Sequence, residues 1–249
     1  MMQFNNPPSR LFPARNTDRP HLSTPAQVMI DRFVENLCAR KPVLPQPLAA
    51  DHELLASNES ALQAREALVK WGILSRNKDG NLCATNYWSC DIAGTLDGCI
   101  LANDQPPDWI YKSISNTLVL RPEKEILDRL ELKSGTPVYL LKRLRWVEDG
   151  PSAYDLIFIP PVRFPASTDL QYSLRGATDL LLQNCQIIAK AVEQTNPALA
   201  PEDIADFLDI PADSEVLHIM RTLYNHQGLP IEFRNTHLHT RNTRYQTPF

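Results

Sequence analysis

The feature that most constrains the fold is an internal repeat, in which one pattern returns after 78 residues, from Gly150 to Gly228. Residues 137–160 contain two extended runs joined at Asp149-Gly150, a pair that supplies the positive-φ residues of a tight hairpin turn. Residues 215–233 repeat this order of run, turn and run, with Gly228 in the turn. The chain is therefore predicted to contain two copies of one β-hairpin unit.

Residues of matching character occupy both copies in one register, without a gap. The matched pairs are Arg143 with Arg221, Ile126 with Ile204, Leu130 with Leu208, Leu132 with Ile210, Thr136 with Ser214, Val138 with Val216, and Trp146 with Tyr224. Each copy is predicted to contain a short helix, a turn and a hairpin. We expect the two copies to pair into one antiparallel sheet with helices on one face, an α+β arrangement.

Two arginines on the first hairpin are candidates for holding an anion. Side chains alternate along a strand, so Arg143 and Arg145 share one face. Their planar guanidinium groups match the geometry of carboxylate and phosphate. The alternative is an internal ion pair with Asp155 or Glu232 across the sheet.

Length and composition indicate two domains and argue against several classes of protein. The chain has 249 residues, a net charge of −4 and an ordinary apolar content of 43%. It contains no apolar run of ~20 residues and no signal-peptide pattern. Its five cysteines are odd in number and irregularly spaced, which favours free thiols and predicts a cytoplasmic protein. Because the GxSxG, P-loop, HExxH and GxGxxG motifs are all missing, we expect neither an enzyme nor a cofactor.

The chain divides into four predicted segments. Residues 1–24 are a disordered arm, residues 25–88 a helical unit, residues 89–108 a linker and residues 109–249 a second domain. A basic arm that binds DNA through Arg10, Arg15 and Arg19 is the alternative for the first segment.

The helical unit has the pattern of a winged helix-turn-helix. Helices are predicted over residues 26–39, 49–57 and 60–71, with Ser60 as the N-cap of the third. The runs 72–76 and 81–85 would then form a two-stranded wing. In this arrangement the third helix normally enters the major groove of DNA.

This unit resembles the DNA-binding half of GntR-type transcriptional regulators. The resemblance rests on Leu48, Glu53 and Leu54 in the second helix, on Ser60, Arg65, Glu66, Ala67 and Leu68 in the third, and on Gly72-Ile73-Leu74 with Gly80 in the wing. It implies DNA contacts, for which the candidates are Ser60, Gln63, Arg65, Lys70, Arg76 and Lys78. The alternative for each basic residue is a solvated surface charge.

The same unit departs from the family pattern, so it is a degenerate member. Ala61 replaces the usual arginine, the turn at residues 57–59 is one residue short, and Glu59 adds a negative charge at the start of the third helix. Residues 1–100 contain ten basic and ten acidic residues. Because phosphate neutralisation supplies most of the affinity for duplex DNA, we expect weak or salt-sensitive binding.

Residues 116–245 are similar to the UTRA effector domain of the HutC subfamily. The matching residues are Arg143-Leu144-Arg145, Asp149-Gly150, Pro151, Pro160, Arg221, Gly228, Pro230, Glu232 and Arg244-Tyr245. The resemblance implies a chorismate-lyase-like antiparallel sheet, a small metabolite as effector and a homodimer. His237 and His239 stand where aromatic residues are typical.

The effector-binding candidates are Arg143, Arg145, Thr178, Arg221, Glu232 and His237. Glu232 could instead neutralise Arg221, and Thr178 could instead be a helix N-cap. A metal site formed by His218, His237 and His239 is the less favoured alternative, so no metal is expected.

The sequence therefore predicts a cytoplasmic, homodimeric regulator whose partners are operator DNA and a small anion such as a sugar phosphate or an amino-acid derivative. The rival hypothesis is a ligand-binding protein whose helix-turn-helix has decayed and now serves dimerisation. A lyase-like enzyme is a distant third, because fold resemblance alone carries no activity.

Overall fold

The structure is a computed structural model that describes residues 10–11, 22–39, 54, 57–71, 73–76, 80, 82–84, 99–101, 107–148, 150–164, 188–241 and 243–245. Its strands are β1 (Arg10–Leu11), β2 (Leu74–Arg76), β3 (Leu82–Ala84), β4 (Cys99–Leu101), β5 (Ile110–Val119), β6 (Val138–Val147), β7 (Gly150–Ile159), β8 (Ile188–Leu199), β9 (Glu215–Asn225), β10 (Pro230–Leu238) and β11 (Thr243–Tyr245). Its α-helices are α1 (Thr24–Ala39), α2 (Glu59–Lys70), α3 (Lys124–Arg129) and α4 (Glu202–Leu208).

Seven strands form one antiparallel sheet in the order β1-β8-β9-β10-β7-β6-β5. The unit β5-α3-β6-β7 is followed along the chain by β8-α4-β9-β10, and the two units meet where β7 pairs with β10. The six strands of these two units are therefore arranged symmetrically about the β7–β10 pair, and β1 is added at one edge. This arrangement confirms the prediction that two repeated copies pair into one antiparallel sheet.

The backbone repeats the 78-residue offset at its unusual positions as well. Left-handed residues recur as the pairs Glu131 (φ 49°) with Asp209 (φ 54°), Gly135 (φ 80°) with Asp213 (φ 60°), and Gly150 (φ 125°) with Gly228 (φ 75°). The hydrogen bond from Leu132 N to Leu127 O returns as the bond from Ile210 N to Ala205 O. The turns of the two copies thus share one geometry, even where Gly135 in the first copy corresponds to Asp213 in the second.

Helices α3 and α4 pack on the same face of the sheet. Ile126 of α3 and its C-cap Leu130 cluster with Phe158 and Phe233. Ile204 and Leu208 of α4 cluster with Tyr154 and Val216. Tyr154 and Phe158 are four residues apart on β7, so their side chains point the same way. We call this side the helix face. The sequence had predicted that the helices lie on one face of the sheet.

The opposite side of the sheet carries two apolar clusters. Leu141, Ile157 and Phe164 belong to one, while Trp109 and Ala153 belong to the other. Strands β4 and β11 pair with each other, and their residues pack into the second cluster.

The N-terminal unit has its own apolar core and differs from the prediction at one cap. Ile30 and Phe33 of α1 pack against Ala64 and Leu68 of α2. The N-cap of α2 is Asn58 rather than Ser60, because the Asn58 side chain accepts a hydrogen bond from Ala61 N at 2.8 Å. Strands β2 and β3 form the predicted wing hairpin. The predicted helix 49–57 falls mostly outside the described residues, so the complete winged helix-turn-helix stays a prediction.

Four of the described strands lie in segments where sequence patterns did not indicate a strand. Cys99–Leu101, inside the predicted linker, pairs with Thr243–Tyr245. Arg10–Leu11, inside the arm predicted to be disordered, pairs with β8, and β8 itself was missed. Local periodicity is weak in such segments, and a neighbouring strand decides their conformation. None of the described helices is long and apolar enough to cross a membrane.

Candidate functional site

A row of charged side chains crosses the face of the sheet opposite α3 and α4. Asp155 stands between two helix-face residues on β7 and therefore points the other way. Its cross-strand neighbours are Arg143 on β6 and Thr236 on β10. Two residues before Thr236 on β10, Arg234 lies on the same face and pairs across the strands with Arg221 on β9. We call this side, defined by these five residues, the ionic face.

Asp155 is the centre of the row and is fully buried. Arg143 Nε donates to Asp155 Oδ2 at 2.8 Å, Arg145 Nη2 donates to Oδ1 at 3.1 Å, and Thr236 Oγ1 donates to Oδ1 at 2.6 Å. Burial alone would raise the pKa of Asp155. Arg145, Arg143, Arg234 and the Thr236 hydroxyl outweigh it, so the pKa lies far below its ordinary value. Asp155 is an anion held between two buried guanidinium groups.

Two further ion pairs extend the row. Arg221 Nε donates to Glu193 Oε2 at 2.7 Å, and Arg234 Nε donates to Glu232 Oε1 at 2.8 Å. All four side chains are more than nine-tenths buried. The Tyr245 hydroxyl, which comes from β11, contacts the Glu193 carboxylate and accepts a bond from Arg221 Nη2 at 3.4 Å. Burial raises the pKa of Tyr245, so this phenol is a proton donor at neutral pH.

Aromatic rings lie beneath the first two arginines. The Arg143 guanidinium lies 4.6 Å from the centre of the Tyr111 ring, and the Arg145 guanidinium lies 4.8 Å from that of Trp109. Stacking of this kind stabilises a cation and fixes its plane. The Trp109 indole N–H is buried and has no hydrogen-bond partner among the described residues.

The ionic face brings together four of the six predicted effector residues. Arg143, Arg145, Arg221 and Glu232 all lie there, and the expected alternative of an ion pair with Asp155 is observed as well. Glu232 accepts its hydrogen bond from Arg234. Thr178 lies outside the described residues.

His237 does not join this group. Its cross-strand neighbours are Tyr154 and His218, so it lies on the helix face, and its ring stacks on that of His218 with centroids 4.7 Å apart. Burial and, to a smaller extent, His218 lower the pKa of His237 to about 4, although Asp203 and Asp155 act in the opposite direction. His239 follows the end of β10, and the described residues contain no group of three side chains that could hold a metal ion.

Sequence reasoning missed several members of the row. Arg234 and Thr236 could have been found, because they are two and four residues from Glu232 on one strand and must share its face. The odd spacing between Glu232 and His237 likewise places these two on opposite faces. Glu193 left no such signal, because β8 was not recognised.

Three of the six predicted DNA-contacting side chains, all on α2, make hydrogen bonds with other parts of the N-terminal unit. Ser60 Oγ lies 3.3 Å from Ser23 Oγ, and Gln63 Oε1 accepts from Ser23 N at 3.0 Å. Arg65 Nη1 donates to Leu54 O at 2.6 Å.

The remaining candidates lie at the helix end and in the wing. Lys70 occupies the last turn of α2, and Arg76 Nη1 donates to Gly80 O at 2.8 Å within the hairpin. Lys78 lies outside the described residues.

The most exposed side of α2 carries acidic and apolar residues. Glu59, Leu62, Glu66 and Val69 are spaced by three or four residues and are all exposed, Leu62 by 47% and Val69 by 46%. This stripe has no basic residue at its centre, so it offers phosphate groups little attraction.

The helical unit touches the sheet at the turn between β9 and β10. His226 Nε2 lies 3.1 Å from Asp31 Oδ1 of α1, and Ala189 of β8 packs into the helical core. Burial lowers the pKa of His226, although Asp31 acts in the opposite direction. The contact at neutral pH is therefore a hydrogen bond from a neutral imidazole rather than an ion pair.

The family comparison agrees with this architecture. The UTRA domain model matches residues 111–245, more than half of the chain. A search of curated proteins found no significant match.

Solved structures share the fold at low sequence identity. The ligand-binding domain of a protein from Bordetella bronchiseptica, assigned to the GntR family of transcriptional regulators, is 20% identical with a TM-score of 0.52, and covers 60% of this chain and 94% of that chain. YydK from Bacillus subtilis subsp. subtilis str. 168, assigned as a transcriptional regulator, is 13% identical with a TM-score of 0.51, and covers 87% and 95%. The GntR-family regulator from Enterococcus faecalis V583 is 19% identical with a TM-score of 0.49, and covers 53% and 95%.

Proposed function

Because the chain belongs to the UTRA-domain family, we propose that it is a metabolite-responsive transcriptional regulator of the GntR type, HutC subfamily. In this proposal the sheet binds a small anionic effector and the N-terminal unit, a winged helix-turn-helix, binds operator DNA as a homodimer. The partners are the operator and an anion such as a sugar phosphate or an amino-acid derivative.

The observation that carries the proposal is the charged row on the ionic face. Buried guanidinium groups are expensive to desolvate, and a chain that needed only stability would do as well with apolar residues. Here Arg143 and Arg145 share one carboxylate and are backed by aromatic rings. Such a pair is preorganised to bind a second anion. To do so, the two arginines would direct some of the N–H groups that now bond Asp155 toward the ligand.

Ligand and operator would influence each other through the arrangement of the two units. Thermodynamic linkage requires that an effector which changes operator affinity has its own affinity changed by the same factor. The contact between His226 and Asp31 joins the two units, so a change in their relative arrangement would alter it.

The proposed binding of an anionic effector to the sheet is tested by thermal shift with glucose 6-phosphate, glutamate and inorganic phosphate. A ligand at ~100 times its dissociation constant adds ~2.7 kcal/mol of stability. We expect one of these anions to raise the melting temperature of the native chain, and Arg143→Gln to abolish that rise. Arg121→Gln, which changes an exposed arginine, is the control and should keep it. An equal rise in all three proteins would place the anion elsewhere.

The DNA half is tested by gel shift with genomic fragments at low salt. We expect a shifted band whose apparent affinity falls steeply as salt rises, because phosphate contacts release counterions. Lys70→Ala and Arg76→Ala should weaken binding and reduce the salt slope. Absence of any shift at micromolar protein would contradict this half.

A second candidate function follows from the exposed stripe of α2. Two glutamates with Leu62 and Val69 suit a protein surface better than a phosphate backbone. In this reading the helical unit serves dimerisation, and only the sheet binds a ligand. Leu62→Asp would then shift the sedimentation profile toward the monomer, whereas a DNA-binding α2 predicts a change in gel shift alone.

A further inference from the structure

The last of the described strands, β11, pairs with β4, which precedes β5 in the chain. Cys99, Ile100 and Leu101 of β4 pair with Tyr245, Arg244 and Thr243 of β11. A two-stranded ribbon of three residues per strand is too small to be stable alone. The stability of this ribbon therefore depends on the contacts that its side chains make with the rest of the protein.

Tyr245 supplies that contact on the ionic face. Its side chain packs against the apolar cluster that contains Cys99 and Trp109, and its hydroxyl contacts both members of the buried Arg221–Glu193 pair. The phenol donates to the Glu193 carboxylate, because its pKa is raised and the carboxylate can only accept. Tyr245 thus belongs to the ribbon by its backbone and to the charged row by its hydroxyl.

We propose that Tyr245 connects β4, which lies between the helical unit and the sheet in sequence, to the charged row, and we call this contact the latch. An anion bound by Arg221 releases the latch. The inference rests on the proposed function for its ligand, and it places the regulation at the Arg221 end of the same charged row. An anion that hydrogen-bonds Arg221 competes with Glu193 and with the phenol oxygen for the same N–H donors. The Tyr245 oxygen then loses the N–H of Arg221. Displacement of Glu193 from Arg221 also moves the carboxylate to which the phenol donates, in a site where an unmade hydrogen bond is costly.

Release of the hydroxyl would loosen the ribbon. Strand β4 connects in sequence to the helical unit on one side and to β5 on the other. Loss of its pairing with β11 would free this connection, and the orientation of the helical unit would change. The effector would act on the N-terminal unit by undoing one contact rather than by reshaping the sheet.

The test is amide hydrogen exchange on the full chain without ligand, followed through peptides that contain residues 99–101 and 243–245. Tyr245→Phe removes only the hydroxyl and keeps the ring in its apolar cluster. We expect exchange in both strands to become about tenfold faster, since local opening governs the rate. Tyr139→Phe, in the other apolar cluster of the same sheet, is the matched control and should leave both peptides unchanged. Equal exchange in the native chain and Tyr245→Phe would overturn the latch.

A second arm adds inorganic phosphate and separates the latch from the proposed function. If phosphate stabilises the chain, it should accelerate exchange at residues 99–101 in the native chain and add nothing in Tyr245→Phe. If phosphate binds and these residues do not respond, the latch is wrong while anion binding stands. If no anion binds at all, the proposed function fails, and the ligand-free comparison still decides whether the hydroxyl holds the ribbon.

Discussion

Arg143 and Asp155 face each other across strands β6 and β7, with Nε 2.8 Å from Oδ2 and both side chains buried. The same carboxylate also receives Arg145 and Thr236. A buried charge that loses its partner is far more costly than the pair itself is favourable. This asymmetry makes the stability of the sheet sensitive to substitution at Asp155.

Asp155→Asn should therefore destabilise the protein by about 3–5 kcal/mol, because it leaves two buried guanidinium groups facing a neutral amide of the same shape. Urea unfolding followed by circular dichroism measures the change. Asp128→Asn, on the exposed side of α3, is the control and should alter stability by less than about 0.5 kcal/mol. A loss below about 1 kcal/mol at Asp155 would mean that water or another group solvates the arginines.

The pH dependence of stability should reveal His237. Burial holds its pKa at about 4 in the folded chain, below its ordinary value of about 6.5. The unfolded chain therefore binds the proton first as the pH falls. Stability should be fully present above about pH 6.5 and decline toward pH 4, by an amount on the order of 3 kcal/mol from this group.

His237→Leu should flatten that decline, because leucine fills the space and does not titrate. Urea unfolding at pH 7, 6, 5 and 4.5 supplies the comparison. His218, His226 and His239 also have lowered pKa values, so part of the slope should remain. Superimposable pH profiles of the native chain and the variant would show that His237 is solvated.

Arg65 should act on stability as well as on DNA. Its guanidinium donates to Leu54 O at 2.6 Å, which ties α2 to the preceding segment. Arg65→Ala should lower the stability of the helical unit by about 1 kcal/mol, whereas Lys70→Ala should leave it within about 0.5 kcal/mol. Thermal unfolding and gel shift on the same samples distinguish the two roles. If both variants lose DNA binding with no loss of stability, the contact with Leu54 is incidental.

Substitutions at equivalent positions of the two repeated turns should change the stability of the protein in opposite directions. Gly135 and Asp213 occupy equivalent left-handed positions, at φ 80° and φ 60°. Gly135→Ala should destabilise the chain by about 1 kcal/mol, because a Cβ is strained there. Asp213→Gly should be neutral or slightly stabilising, since it removes the same strain. Chemical denaturation of the two variants gives the comparison, and destabilisation by both would show that Asp213 makes a contact worth more than its strain.

The sequence by itself determined the two-copy plan of the sheet and the two neighbouring arginines of its charged row. Hairpin turns and strand alternation depend on neighbouring residues, so Asp149-Gly150 and the two-residue spacing of Arg143 and Arg145 were readable from the chain. The 78-residue register then carried Arg221 and Gly228 into the second copy.

Only the tertiary structure decided which carboxylate meets which arginine and which strands are added at the margins. Glu193 faces Arg221 because β8 pairs with β9, and Tyr245 reaches the same arginine because β11 pairs with β4. Strand pairing joins residues that are distant in sequence, and the energy of such pairs lies in packing and hydrogen bonds across strands rather than in local preference. For the same reason, the engagement of Ser60 and Gln63 by Ser23 could be seen only after the helices had packed together.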